Sequence, residues 1–215
     1  HYKYLGLQVS HYDGTRGISI TSNGADATTK GVELGMNFRP RGIEGLSVET
    51  FVAYNDAKYN SFPTSPCYGG QTLSTGCAPV SSTVATTIQD LSDERLQFAP
   101  RWTGNFNLAY TTRVADDYRL TLRGSLMASS RYNYTPANSP HGWQNGWATV
   151  DASVSLAGWN DQAEISLIGR NLTNKYYVVT GFDSGAVTPG VLSDLQAIAN
   201  RLRQIMLQLT LRTGT

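Results

Sequence analysis

The sequence lacks any run of 18 or more apolar residues, so we expect no transmembrane helix. It also lacks a surplus of either charge, because 17 lysines and arginines stand against 16 aspartates and glutamates, for a net charge of +1. This balance gives no electrostatic reason to expect a nucleic-acid partner. A membrane is not excluded, since a strand of a transmembrane barrel crosses the bilayer with only about ten alternating residues.

Recognisable catalytic motifs are missing as well. The sequence contains no GxSxG, HExxH, P-loop or GxGxxG pattern. The three histidines, His1, His11 and His141, are scattered along the chain. We therefore predict no catalytic residue, no metal site and no cofactor, and a protein that is not an enzyme.

Cysteine is nearly absent, with only Cys67 and Cys77, both in a polar stretch rich in Gly, Ser, Thr and Pro. Their spacing is not CxxC and no histidine flanks them, which argues against a zinc site. We predict a disulfide between them, which would contribute about 2–3 kcal/mol by closing a short loop. Such a bond indicates an oxidising compartment such as the periplasm or the cell surface.

The strongest pattern present is an alternation of apolar and polar residues with period two. In the second segment, for example, Val32, Leu34, Met36 and Phe38 share one face and Glu33, Gly35 and Asn37 the other. These segments are long for a soluble sheet and predict an all-β, antiparallel fold. We predict eight strands, over residues 2–12, 28–38, 46–59, 98–113, 118–134, 147–159, 163–179 and 203–213.

The connections alternate between short and long. Short turns are predicted near residues 39–45, 115–117 and 160–161, and longer loops near 60–94, 135–146 and 181–200, with a short connection after Tyr12 as the exception. Outer-membrane barrels have this asymmetry, with short periplasmic turns and long extracellular loops. In the last loop, Ser193 to Gln196 fits a capping box, so we expect a short helix there.

Charge is distributed unequally between the two faces of the predicted strands. The apolar face carries almost none, and a charge facing lipid near the midplane would cost about 2–4 kcal/mol. The other face is predicted to line the lumen and to point its charged residues toward water or a plug; these are Glu33, Glu49, Arg119, Arg123, Asp151, Glu164 and Arg212.

Aromatic residues cluster near the predicted strand ends, which is typical of interfacial girdles. Residues of the second long loop and the strands beside it could line the mouth and stack on a sugar or an aromatic siderophore. The candidates for ligand contact are Tyr132, Tyr134, His141, Trp143 and Trp147, with membrane anchoring or solvation as the alternative role for each.

Four stretches of the sequence resemble the C-terminal part of the TonB-dependent receptor barrel. They are Gly31-Val32-Glu33, the strand ending Ala53 to Tyr59, the Ala99-Pro100 start of a descending strand and, most specifically, Gly169-Arg170-Asn171-Leu172-Thr173-Asn174-Lys175-Tyr176-Tyr177. The last is similar to the family's Asn-Leu-x-Asp-x-x-Tyr segment. The stretches follow the family's order and cover nearly the whole chain.

The resemblance implies a 22-stranded barrel in the bacterial outer membrane, of which residues 1–215 would be about the last eight strands. It also implies partners: a plug domain, the remaining barrel strands, the TonB complex, the lipid bilayer and a small-molecule ligand. We expect this chain to be a fragment without the plug, and the ending at Thr215 departs from the aromatic residue usual in the family. Two alternatives stay open: a complete eight-stranded anchor or adhesion barrel, and a soluble carbohydrate-binding β-sandwich.

Overall fold

The computed structural model describes residues 1–13, 18–81, 84–183 and 188–212. Within them the chain is almost entirely strand, turn and loop, and it has no helix with the length and hydropathy that crossing a bilayer requires. In chain order the elements are β1 (Tyr2–Asp13), β2 (Ile18–Phe38), β3 (Leu46–Ser61), β4 (Ser65–Pro66), the 3₁₀ helix η1 (Leu73–Thr75), β5 (Ala78–Ser81), β6 (Val84–Gln89), β7 (Trp102–Ala115), β8 (Tyr118–Ser129), β9 (Tyr132–Asn133), β10 (Trp143–Gln144), β11 (Trp147–Gly158), β12 (Ala163–Arg170), β13 (Val178–Asp183), β14 (Leu195–Ala199) and β15 (Gln204–Leu211).

Eight of these strands form one antiparallel sheet, which we call the wall. Its order is β1-β2-β3-β7-β8-β11-β12-β15, so each wall strand pairs with the next wall strand along the chain. This up-and-down order is that of a transmembrane barrel. β1 and β15 are the two edges of the sheet.

The wall has a turn end and a loop end. At the turn end, short connections join β2 to β3, β7 to β8, and β11 to β12. At the loop end, three long segments follow the wall strands: the first loop (residues 62–101), the second loop (130–146) and the third loop (171–203). The predicted alternation of short turns and long loops is thus confirmed.

The turns need backbone conformations that few residues adopt. Gly45 has φ +78°, and a Cβ at this position would collide with the backbone carbonyl oxygen of Thr111. The close approach lets the Thr111 amide donate to the Gly45 carbonyl oxygen at 2.9 Å, which fixes the turn against β7. Between β11 and β12, Trp159, Asn160 and Asp161 all have positive φ.

Several predicted boundaries differ from the structure. β2 begins at Ile18 and not at residue 28, because residues 18–27 pair with β1 although they have no apolar alternation. β8 ends at Ser129 and not at residue 134, and β7 spans Trp102–Ala115 and not 98–113. The last residue predicted for β15, Thr213, lies outside the described residues.

Two predictions about the third loop are wrong. β12 ends at Arg170 and not at residue 179, because Asn171 and Asn174 have positive φ, which breaks the strand. The short helix expected after Ser193 is absent from this described stretch: Leu195–Ala199 forms β14 and pairs with β13. The strand partner therefore overrides the local capping signal.

A small apolar core lies at the loop end. Val9, Ala25 and Ala27 of the β1–β2 hairpin pack against Tyr59 of β3 and Phe62 and Leu91 of the first loop. This cluster fastens the hairpin to the first loop, whereas the wall itself is one sheet thick.

Candidate functional site

One face of the wall, the apolar face, carries no charged residue in the described strands between the row of Tyr54 and Trp102 and the turn end. Directly paired residues share a face, so the row through Leu108 also contains Phe38, Val48, Gly124, Ala152, Gly169 and Ile205. Large side chains on this face are open to the surroundings: Val32 is 71% exposed, Leu34 70% and Leu207 74%. Leu108, Leu122 and Val154 are exposed too, and Val48 is half-buried. An exposed apolar surface of this size requires an apolar partner, and lipid fits because each strand hydrogen-bonds only to its neighbours in the sheet.

Aromatic side chains lie at both borders of the apolar face. At the loop end, the Tyr54 and Trp102 rings are 4.9 Å apart between centroids. Tyr118 and Trp159 lie at the turn end. The Tyr118 ring packs so close to Gly158 that a Cβ there would clash with it, and Trp159 is 69% exposed. On the loop-end side of the Tyr54 row, the same face carries two charged residues, Lys30 and Asp56, which lie opposite each other on β2 and β3. The apolar stripe is therefore bounded at the loop end by aromatic residues and then by charge, as at a membrane interface.

The opposite face, the polar face, carries charged side chains. Cross-strand pairing places Glu33, Glu49, Arg119, Arg123, Asp151 and Glu164 there, and Arg212 follows Leu211 of the apolar face. A concave cavity of about 370 Å³ opens on this face, lined in part by Glu49, Arg123, Asp151 and Arg170. Arg170 was not among the predicted lumen-facing residues, although it lies six residues after Glu164 and therefore on the same face of β12.

Two ion pairs lie on the polar face at the turn end. Arg119 Nη1 is 2.7 Å from Asp161 Oδ2, and Arg212 Nη2 is 2.7 Å from Glu164 Oε2. Arg212 Nη1 also donates to the Asp161 carbonyl oxygen at 2.9 Å. These contacts tie β8, β12 and the segment after β15 to one turn. Because all four side chains are partly exposed, each pair contributes about 0–1 kcal/mol to stability.

The five candidate ligand residues fall into two groups. His141 is exposed and Trp143 is half-buried, with the Arg131 guanidinium 4.2 Å from the centre of the Trp143 ring. Tyr132 and Tyr134 are each only 7% exposed and pack around Val178 of β13. Burial raises the pKa of both tyrosine hydroxyls, since the neutral form is favoured away from water.

Trp147 belongs to the buried aromatic group and lies on the polar face. Its ring is stacked on that of Tyr177, with centroids 3.8 Å apart and planes 7° from parallel. Phe98 approaches Tyr132 at 5.9 Å between ring centroids, so the first, second and third loops all contribute a ring to this cluster. Sequence reasoning missed Arg131, Phe98 and the pairing of Tyr177 with Trp147, because no local signal brings separate loops together.

Cys67 and Cys77 form a disulfide, with Cα atoms 5.7 Å apart. Both residues are fully buried within the first loop. The bond predicted from the sequence is therefore confirmed.

The most specific sequence stretch, Gly169 to Tyr177, forms a hydrogen-bonded turn above the wall. The Asn171 side-chain nitrogen donates to the carbonyl oxygens of Lys175 at 2.9 Å and Arg201 at 3.0 Å. Its Oδ1 accepts from the Lys175 backbone amide at 2.9 Å, and its own backbone amide donates to Asp151 at 2.7 Å. One buried asparagine thus joins the loop-end termini of β11 and β12 to the segment that enters β15.

Most of the chain, residues 2–172, matches a family profile described as "TonB dependent receptor-like, beta-barrel". This chain belongs to the TonB-dependent receptor family. Members of the family are outer-membrane transporters and receptors and do not form an enzyme class. No match was found among curated proteins.

Solved structures agree with a TonB-dependent receptor barrel. The siderophore receptor PiuA from Acinetobacter baumannii matches with TM-score 0.64 and 17% identity over 96% of this chain and 24% of its own. The ferric yersiniabactin uptake receptor FyuA from Yersinia pestis matches with TM-score 0.60 and 18% identity over 88% and 24%. BauA, the ferric preacinetobactin receptor from Acinetobacter baumannii, matches with TM-score 0.53 and 17% identity over 94% of this chain and 25% of its own. The chain therefore spans about a quarter of the length of these structures. At such identities they establish the barrel fold alone.

Proposed function

We propose that this chain is part of the wall of a TonB-dependent transporter in the bacterial outer membrane, which takes up a scarce small molecule. The observation that carries the proposal is the asymmetry of the two faces: one is apolar and free of charge from the Tyr54 row to the turn end, and the other is concave and charged. In this assignment the apolar face meets lipid and the polar face meets the lumen. The short turns are then periplasmic and the three long loops extracellular.

The charges on the polar face support a wet or protein-filled lumen. Glu33, Glu49 and Arg123 are exposed on the isolated wall. Carboxylates and guanidinium groups in such positions are stable when they contact water or the complementary charges of a plug domain. We propose that a plug and the remaining barrel strands, 22 in all, complete this lumen, and that the TonB complex supplies energy through the plug.

The loop end is the proposed ligand side. His141 and Arg131 offer an imidazole and a cation that are exposed to solvent, and the half-buried Trp143 beneath Arg131 adds an aromatic ring. Such a set suits an anionic or aromatic small molecule. We propose that Tyr132, Tyr134 and Trp147 contact the ligand only in a state in which the loops have moved apart. The names of the matched receptors favour a ferric siderophore over a carbohydrate, which is the second candidate ligand.

Uptake in cells tests this function. A strain without the gene and a complemented strain are grown with one siderophore at a time as the iron source, in the presence and absence of an intact TonB complex. We expect one ligand whose use requires both the receptor and the TonB complex. Uptake that requires the receptor but continues without the TonB complex would contradict the transport proposal.

Accessibility from outside tests the orientation. A cysteine-reactive probe that does not cross membranes is applied to whole cells carrying Leu73→Cys in the first loop or Asp116→Cys in the β7–β8 turn. We expect labelling of the first variant only, and labelling of the turn in intact cells would reverse the assignment.

A further inference from the structure

The three long loops are connected to one another by hydrogen bonds that converge on the ring closed by the disulfide. This ring, residues 67–77, is held internally by the Cys77 amide, which donates to the Thr72 carbonyl oxygen at 3.0 Å. Its outer side, at Leu73, is 67% exposed. Its other side faces the neighbouring loops.

The ring is joined to the third loop mainly through its backbone. The Gly69 amide donates to the Asp183 carboxylate, with both oxygens at 3.2 Å. The Gly70 amide donates to the Val191 carbonyl oxygen at 2.8 Å, and the Gly190 amide donates to the Gln71 carbonyl oxygen at 2.7 Å. Contact is so close that a Cβ at Gly69 would collide with Ser193.

The ring reaches the second loop through two buried glutamines. Gln71 Nε2 donates to Gln89 Oε1 at 3.0 Å, and Gln89 Nε2 donates to the Ala137 carbonyl oxygen at 2.8 Å. The same Gln89 nitrogen donates to the Pro66 carbonyl oxygen at 2.8 Å, beside Cys67. Gln71 and Gln89 are both buried, so water does not replace these bonds unless the loops open.

The second and third loops are also joined directly, which closes a triangle of contacts. The Tyr132 hydroxyl donates to the Val178 carbonyl oxygen at 2.5 Å, and the Val178 amide donates to Gln144 Oε1 at 2.9 Å. Gly181 lies against the Tyr134 ring, where a Cβ would clash.

From this triangle we propose that the three loops form a single cooperative cap, with the disulfide-closed ring as its hub. Opening any one loop then requires breaking its contacts with the other two. The disulfide therefore helps to keep residues structurally ordered that are far from it in the sequence. Gln71 and Gln89 are positioning residues that hold the second loop, which carries His141 and Trp143. The inference concerns the loops themselves and does not depend on the identity of the ligand.

Hydrogen–deuterium exchange on the intact receptor in detergent micelles tests the proposal. The variants are Cys67→Ser with Cys77→Ser, and Gln89→Ala; the control is Leu73→Ala, which alters an exposed side chain in the same ring. For the first two variants we expect exchange to accelerate on the order of tenfold in peptides of all three loops, including the amides of Gly70, Val178 and Gly190. Peptides from β7 and β8 keep their rates in every variant, as do all peptides of the control.

The proposal is overturned if the faster exchange stays within residues 62–89, or if Leu73→Ala spreads it as widely as the disulfide variant. Should the double cysteine variant fail to reach the membrane, Gln89→Ala decides alone, since it leaves the disulfide intact. Faster exchange in both the second and third loops then supports the cap, and a change confined to the first loop refutes it.

Discussion

Leu108 lies near the middle of the apolar face, with Val48 directly opposite on β3 and Gly124 opposite on β8. If this face meets hydrocarbon, Leu108→Arg places a guanidinium where water does not reach. The cost is about 2–4 kcal/mol for a charge near the bilayer midplane. Since 1.36 kcal/mol corresponds to a factor of ten, the folding equilibrium shifts by roughly 30- to 900-fold.

Chemical unfolding of the full receptor in lipid vesicles, followed by tryptophan fluorescence, measures this shift as a lower free energy of unfolding. The amount of receptor in the outer-membrane fraction gives a second readout. The matched control is Asn105→Arg, on the polar face of the same strand between Phe51 and Met127. The control gains the same charge facing the lumen, so we expect a change below about 1 kcal/mol. Equal losses in both variants, or a neutral Leu108→Arg, would refute the assignment of the faces.

Three further predictions concern the loop end. Asn171→Ala should lower the free energy of unfolding by about 1–2 kcal/mol more than Asn171→Gly, because both lose the side-chain hydrogen bonds but only alanine strains the positive φ of 47°; equal losses in denaturant titrations would show that backbone strain is unimportant there. Trp143→Ala should reduce ligand uptake roughly 3- to 10-fold at unchanged receptor level, whereas Trp159→Ala at the turn end should not; a loss of uptake in both would argue against a ligand role. Burial raises the pKa of the Tyr132 hydroxyl above its ordinary value, so the neutral hydroxyl contributes its full stability below the unfolded-state pKa, and this stability is lost as pH rises toward the folded-state pKa; absorbance titration should show a late-ionising tyrosine that Tyr132→Phe removes, and an unchanged titration curve in that variant would contradict the assignment.

The wall was predictable from sequence because its two faces impose a period of two on every strand. In β8, for instance, Leu120 and Leu122 alternate with Arg119 and Arg123, and a register shift by one residue would move both arginines to the apolar face. The same alternation predicts a common face for the charged residues, and strand pairing shows Glu49, Arg123 and Asp151 on one face. That this face lines the lumen stays a prediction. It failed beyond the apolar stripe, as in residues 18–27 of β2, which pair with β1 without an apolar alternation.

The loops were less predictable because their structure depends on distant partners. The capping signal at Ser193 favoured a helix, yet pairing with β13 produced β14. Gln71 and Gln89 look like ordinary polar loop residues in the sequence, and only the fold shows that they are buried against each other. The disulfide could be predicted because Cys67 and Cys77 share one polar loop and have neither the spacing nor the neighbouring histidine of a zinc site.

The β1–β2 hairpin has a practical consequence for work on living bacteria. Its strands continue past the row of Lys30 and Asp56, and Ser10 and Thr21 near its far end are exposed and joined by a hydroxyl–hydroxyl hydrogen bond of 2.7 Å. Because both residues are exposed, we expect an epitope tag inserted into this arm to be accessible to antibody. A fluorescent antibody against such a tag would then count and track the protein on single cells.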